Sequence, residues 1–151
     1  MIELIRTDSG NEDFMALVKN LDKDLAQRDG DDHAFYHQFN SIESIKHAVV
    51  ACQDGKAVAC GAIKAFDKDS MEVKRMYTSP SHRGKGIALL VLTNLENWAS
   101  ELGFKNCVLE TGMQQPEAMA LYQKCGYKTI PNYGQYIGVS NSRCFAKLLT
   151  S

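Results

Sequence analysis

The chain has 151 residues, 44% of them hydrophobic and 23% charged, with a net charge of −1. That length fits one domain with a substantial core. The charge balance gives no electrostatic case for nucleic acid or an anionic membrane. No apolar run approaches a membrane span, and Met1 to Arg6 lacks the apolar core of a signal peptide, so a cytoplasmic protein is expected. Five cysteines without a Cys-x-x-Cys motif argue against a disulfide framework or a zinc site. Cys52, Cys60, Cys107 and Cys144 fall in strand-like runs, where a free thiol behaves as a small buried hydrophobe. His33 and His37 are one helical turn apart but lack the carboxylates of a metal motif, and no metal is expected.

In chain order, Ile2 and Leu4 alternate with Glu3 in a short opening strand. Asp8 to Asn11 form a turn that offers helix caps. Phe14, Leu17, Val18, Leu21 and Leu25 then predict a helix over about 11–27. Residues 28–32 break it. Residues 33–47 read as helix or loop, with a cap-like Ser-Ile-Glu-Ser from Ser41. Strands follow over 48–52 and 57–66, joined by Gln53-Asp54-Gly55-Lys56, a hairpin signal. A third strand over 71–77 completes an antiparallel meander.

The stretch after that meander carries the chemistry. Thr78-Ser79-Pro80-Ser81-His82 turns the chain, and Arg83-Gly84-Lys85-Gly86-Ile87-Ala88 leads into a helix. Ile87, Leu90, Val91, Leu95, Trp98, Ala99 and Leu102 mark the helix's apolar face, and Gly103 stops it. The first turn of a helix has unpaired N–H groups and partial positive charge. Two glycines leave that turn open, and Arg83 and Lys85 add formal charge, so the segment suits a pyrophosphate. It is not a P-loop. The dinucleotide fingerprint fails because its third glycine position holds Leu89, although Glu110 stands about where a ribose-binding acid would. A strand over 106–111, parallel to 71–77 after the crossover, comes next. A helix opens at Gln115-Pro116-Glu117, presents Ala118, Leu121, Tyr122 and Cys125, and ends at Gly126. Two last strands are expected over 134–139 and 143–149, with Asn141-Ser142 between them.

Arg83-Gly84-Lys85-Gly86-Ile87-Ala88 resembles the Arg/Gln-x-x-Gly-x-Gly/Ala signature of the GNAT N-acetyltransferase superfamily, with Ala88 in its last position. Ala118-x-x-Leu121-Tyr122-x-x-x-Gly126-Tyr127 resembles the family's second signature, and the similarity runs from about Met71 to Lys147. The resemblance implies an α/β fold with a mixed central sheet: an antiparallel meander, a splayed parallel strand pair and helices on both faces. It implies acetyl-CoA as co-substrate, no metal, and direct transfer of the acetyl group to an amine without an acyl-enzyme. Cofactor contacts are then expected from Met76, Tyr77 and Thr78 on the strand, from Arg83, Gly84, Lys85, Gly86, Ile87 and Ala88 on the loop, and from Thr111 and Tyr122. Tyr122 is the candidate acid for the departing thiolate. Glu72 is the candidate base, ranked above Glu110. Each residue also has a plainer reading: Met76 and Tyr77 as strand packing, Tyr122 as an amphipathic-helix tyrosine, Glu72 as an exposed residue paired with a lysine.

The acceptor is expected to touch residues 22–40, where Asp22, Asp24, Asp29, Asp31 and Asp32 would steer a cation. Tyr133, Tyr136 and Arg143 would close that side. A small-molecule amine is the first reading. A protein or peptide amine, a non-catalytic acyl-CoA sensor and a nucleotide-binding module are the alternatives. A homodimer stays open.

Overall fold

The computed structural model describes residues 1–29, 45–112 and 115–149. Strand β1 (Ile2–Thr7) leads into helix α1 (Glu12–Asp29). Asn11 caps α1, its side-chain oxygen accepting from the Phe14 N–H at 2.9 Å. Strands β2 (His47–Gln53), β3 (Lys56–Ala65) and β4 (Ser70–Thr78) form the expected meander. The first hairpin turns at Asp54 and Gly55, with φ of 53° and 82°. Positive φ at both positions matches the twist of the flanking strands. Helix α2 (Ile87–Glu101) crosses over to β5 (Asn106–Gly112). Helix α3 (Pro116–Lys124), β6 (Lys128–Ile130) and β7 (Ser142–Leu148) follow.

The seven described strands form one sheet in the order β1-β2-β3-β4-β5-β7-β6. Only β4 and β5 run parallel within it; the other neighbours are antiparallel. Odd-numbered residues of β2 and β3, such as Val49, Ala59 and Ile63, meet α2 and α3 in the larger core, around Val91, Leu92 and Leu95. Even-numbered ones, Ala48, Val50, Cys60 and Ala62, meet α1 through Phe14, Leu17 and Val18. Helices therefore cover both faces, as alternation along half-buried strands requires. A buried polar cluster adds to the packing of α2. The Tyr127 hydroxyl donates to Glu96 Oε2 at 2.9 Å, and Lys147 Nζ lies 3.0 Å from Glu96 Oε1.

The end of the chain departs from the sequence expectation. Residues 134–139 are not a strand: Gly134–Tyr136 is a single 3₁₀ turn. The strand that pairs with β7 is instead β6, three residues long, with Lys128 opposite Ala146 and Ile130 opposite Cys144. Gly134 and Gly138 adopt φ of 53° and 80°, outside any strand geometry. The Asn132 side-chain amide donates toward the carbonyls of Tyr136, Val139 and Ser142, which holds the segment as an ordered loop. The expected second helix after Ser41, with His33 and His37, lies outside the described residues.

Candidate active site

Strand β4 has different partners along its two edges. Towards β3 it pairs from Met71 opposite Ala65 to Thr78 opposite Ala59. Towards β5 it pairs only at Ser70, Met71 and Glu72, opposite Asn106, Cys107 and Val108. Beyond Glu72 the two parallel strands part. A cleft of about 660 Å³ opens there, lined by the free end of β4, the glycine loop, β5 and α3.

A bulge accompanies the parting. Opposite β3 the register jumps from Ala62–Lys74 to Cys60–Tyr77, so β4 carries one extra residue. Arg75 occupies the bulge with φ of 60°. A residue with a Cβ pays about 1 kcal/mol or more for that conformation. Gly61 faces the bulge. A Cβ built there would lie 2.5 Å from Met76 Sδ and 2.8 and 2.9 Å from carbons of Leu95 and Val91. Glycine is thus the residue that lets Met76 cross towards the core.

The loop before α2 is built as its composition suggests. Gly84 and Gly86 take φ of 79° and 80°, and an added Cβ at either would meet nothing within 4 Å. Gly86 is the N-cap of α2, leaving the first-turn N–H groups open to the cleft side. Arg83 is held by three partners. Its Nε donates to the Thr78 carbonyl at 2.9 Å, its guanidinium sits 5.7 Å from the Tyr77 ring centre, and its Nη2 lies 3.8 Å from Asp24. Arg83, Gly84, Gly86, Ile87 and Ala88 line the cleft, as do Met76, Tyr77 and Thr78; Lys85 is exposed and does not.

Across the gap, Thr111 is 5% exposed and its hydroxyl has no hydrogen-bond partner among the described residues. Tyr122, on α3, also lines the cleft and packs edge-on to Tyr127 at 5.7 Å. Burial, reinforced by Cys125 and Glu110, pushes the Tyr122 phenol well above its ordinary value. It therefore stays protonated throughout the neutral range.

On the α1 side of the sheet the cleft is polar. Glu72 is buried and accepts a hydrogen bond from the Tyr133 hydroxyl at 2.7 Å; Lys74 Nζ stands 3.8 Å from its other oxygen. Burial pulls the Lys74 ammonium below its ordinary value, against the raising effect of Glu72. Burial and the Glu72 charge both raise the Tyr133 phenol. Glu110 and Tyr136 complete this wall. Glu72 is thus a buried member of a lysine–carboxylate–tyrosine group, where the sequence reading also allowed an exposed strand residue.

Two sequence expectations change. Asp22 and Asp24 are not open to an incoming cation: Asp22 Oδ1 lies 3.1 Å from Arg75, and Asp24 pairs with Arg83. Both acids pair with arginines of β4 and the glycine loop instead. Arg143 does not line the cleft; it donates to the carbonyls of Ser140 and Ser142. Asp31 and Asp32 lie outside the described residues. The resemblance implies a bulge where this strand splays, but sequence reasoning did not place it at Arg75, and it missed Lys74. A signal for the bulge exists: Met71, Val73 and Met76 all pack in the larger core, and a spacing of two followed by three cannot keep one face of a regular strand.

The family model for the acetyltransferase (GNAT) family matches residues 14–127. The chain belongs to the GNAT acetyltransferase family. Among curated relatives it resembles the IAA acetyltransferase of Azospirillum brasilense, with 39% identity over 90 residues, 58% of each chain. It also resembles an uncharacterized N-acetyltransferase of Escherichia coli strain K12, 38% identical over 80 residues, 51% of this chain and 48% of that one. These matches span 58% and 48% of those relatives' lengths. Among solved structures, a Klebsiella pneumoniae protein described as a candidate acyl-CoA N-acyltransferase superposes with a TM-score of 0.84 at 27% identity, covering 99% of both chains. A GNAT family acetyltransferase from Elizabethkingia anophelis, solved with acetyl-CoA bound, shares the fold at a TM-score of 0.71 and 17% identity, covering 98% of both chains.

Proposed function

We propose that residues 1–151 work as one N-acetyltransferase domain that moves an acetyl group from acetyl-CoA directly to the amine of a small molecule. The observation that carries this reading is the parting of β4 from β5 after three paired residues, above a glycine turn that opens α2. Backbone groups on the inner edges of two separated strands need partners. An extended pantetheine arm offers amides at strand-like spacing. The open Gly84–Gly86 turn and Arg83 suit a diphosphate at the arm's end. The Thr111 hydroxyl, without a hydrogen-bond partner among the described residues, stands on the opposite wall.

Acetyl-CoA supplies a thioester whose carbonyl carbon an amine nitrogen attacks, with the C–N bond forming and the C–S bond breaking. The chain's own residues do the rest. The Met76 backbone N–H, on the free edge of β4, holds the carbonyl oxygen as charge develops on it. Glu72 takes the proton lost by the amine nitrogen; the Tyr133 hydrogen bond fixes the carboxylate's position. Tyr122 stays protonated, so its hydroxyl hydrogen-bonds the departing sulfur and supplies the proton as thiolate charge develops; burial makes the phenol a weaker acid, so that proton moves late in C–S cleavage. Glu110, Lys74 and Tyr136 shape the side from which the acceptor enters.

Calorimetry with acetyl-CoA, followed by thiol release across a panel of small amines and peptide amines, tests this reading. Binding with turnover on small amines is the expected result. Binding without turnover on any amine would leave an acyl-CoA sensor, turnover on peptides alone a protein acetyltransferase. No binding would overturn the reading.

A further inference from the structure

We propose that Asp22 and Arg75 form a strut that sets the β4 bulge, making Arg75 a positioning residue for acetyl transfer. This inference rests on the function proposed above. Arg75 is the residue β4 carries in excess, and it holds φ of 60° without being glycine. Such a conformation persists only where the surroundings over-determine it. The surroundings here are specific. The Arg75 side chain is 3% exposed, and its Nη1 donates to Asp22 Oδ1 at 3.1 Å. The Arg75 carbonyl accepts from the buried Cys60 thiol at 3.4 Å. Arg75 Nε is buried with no hydrogen-bond partner among the described residues.

The geometry gives the pair its task. Asp22 lies on α1, on one face of the sheet, while Met76, directly after Arg75, packs against the core on the other face. The guanidinium ties the bulge to α1 on the first face; the absent side chain of Gly61 leaves room for Met76 on the second. Between these two constraints the Met76 peptide has one orientation. That peptide carries the N–H assigned to the thioester carbonyl, so a rotation of the bulge misaims the donor without dismantling the cleft. Because Asp24, two residues after Asp22, holds Arg83, the same turn of α1 braces both the carbonyl end and the diphosphate end of the site.

The experiment compares Asp22→Asn, Arg75→Ala and Arg75→Gly by kcat, acetyl-CoA KM, thermal midpoint and the amide ¹H–¹⁵N shifts of Gly61 and Met76. Misplacement of a catalytic group by about an ångström can cost on the order of 100-fold. Arg75→Ala and Asp22→Asn are therefore expected to lower kcat about tenfold or more, with acetyl-CoA KM within about threefold, and to shift the Met76 amide. Arg75→Gly, which accepts positive φ without strain, is expected to keep several-fold more kcat than Arg75→Ala, although both lose the ion pair. Equal losses in the glycine and alanine variants, or losses that follow the thermal midpoint alone, would overturn the strut. If the wild type releases no thiol with any amine, the catalytic reading fails by itself. The strut is then judged by the amide shifts, and an unmoved Met76 amide in Asp22→Asn overturns it.

Discussion

Along its β3 edge, β4 stays paired for its whole length at the cost of one bulge; along its β5 edge it pairs for three residues and then leaves. The first edge is ordinary sheet economy, in which peptide groups outside the bulge find partners on β3. The second gives up inter-strand bonds in the interior, and a fold keeps such a loss only where something else fills the gap. The same contrast holds in the side chains. Around β2 and β3 the buried residues are almost all apolar, whereas Glu72, Lys74, Glu110, Thr111 and Tyr122 crowd the parted strands. The dry half builds a rigid edge, and the polar half uses it.

The largest expected effect comes from closing the gap's entrance. Gly86→Glu places a carboxylate at a left-handed position in the turn proposed to hold the diphosphate, and acetyl-CoA affinity should fall about 100-fold or more by calorimetry. Unchanged affinity would mean the open turn is not the cradle. Within the polar half, Tyr122→Phe keeps the ring packed against Tyr127 and removes only the proton. It should lower kcat for thiol release by about 100-fold with acetyl-CoA KM little changed. An unaltered kcat would leave Tyr122 as core.

On the dry side, Gly61→Val would drive methyl groups into Met76, Leu95 and Val91. A destabilisation of about 1–3 kcal/mol in denaturant titrations is expected, and a neutral result would break the link between Gly61 and the bulge. Tyr122, Tyr127, Tyr133 and Tyr136 all have phenols raised by burial. The unfolded chain ionises near pH 10 while the folded one does not, so their contribution is full below about pH 10 and is lost as pH rises from there. Denaturation midpoints measured from pH 8 to 11 should stay level and then fall. The smallest effect is expected for Asp24→Asn. Its pair with Arg83 is 3.8 Å long and partly exposed, so stability should change by less than about 1 kcal/mol.

Much of this molecule was legible from local pattern. Periods of two and 3.6 residues marked β2 to β5, α1, α2 and α3, because one-sided burial prints itself on consecutive residues. Asp54-Gly55 and Gly84-x-Gly86 announced their turns, because positive φ is costly for residues with side chains. Gly84, Gly86 and Tyr122 all line the cleft, and each is tied to a helix end or helix face that the sequence already specifies. The pattern failed where partners come from far along the chain. Gly134 to Val139 reads as a strand, yet Asn132 and the core around Cys144 hold it as a loop with a 3₁₀ turn at Gly134–Tyr136. Asp22 and Asp24 read as acids that would steer a cation. Only the packing of α1 over β4 brings them to Arg75 and Arg83, 53 and 59 positions away in sequence. Sequence alone determined the described elements from β1 to α3 and the turn that opens α2. Tertiary structure decided which charges pair, which carboxylate is buried and where β4 parts from β5, because those are properties of neighbours that no local period encodes.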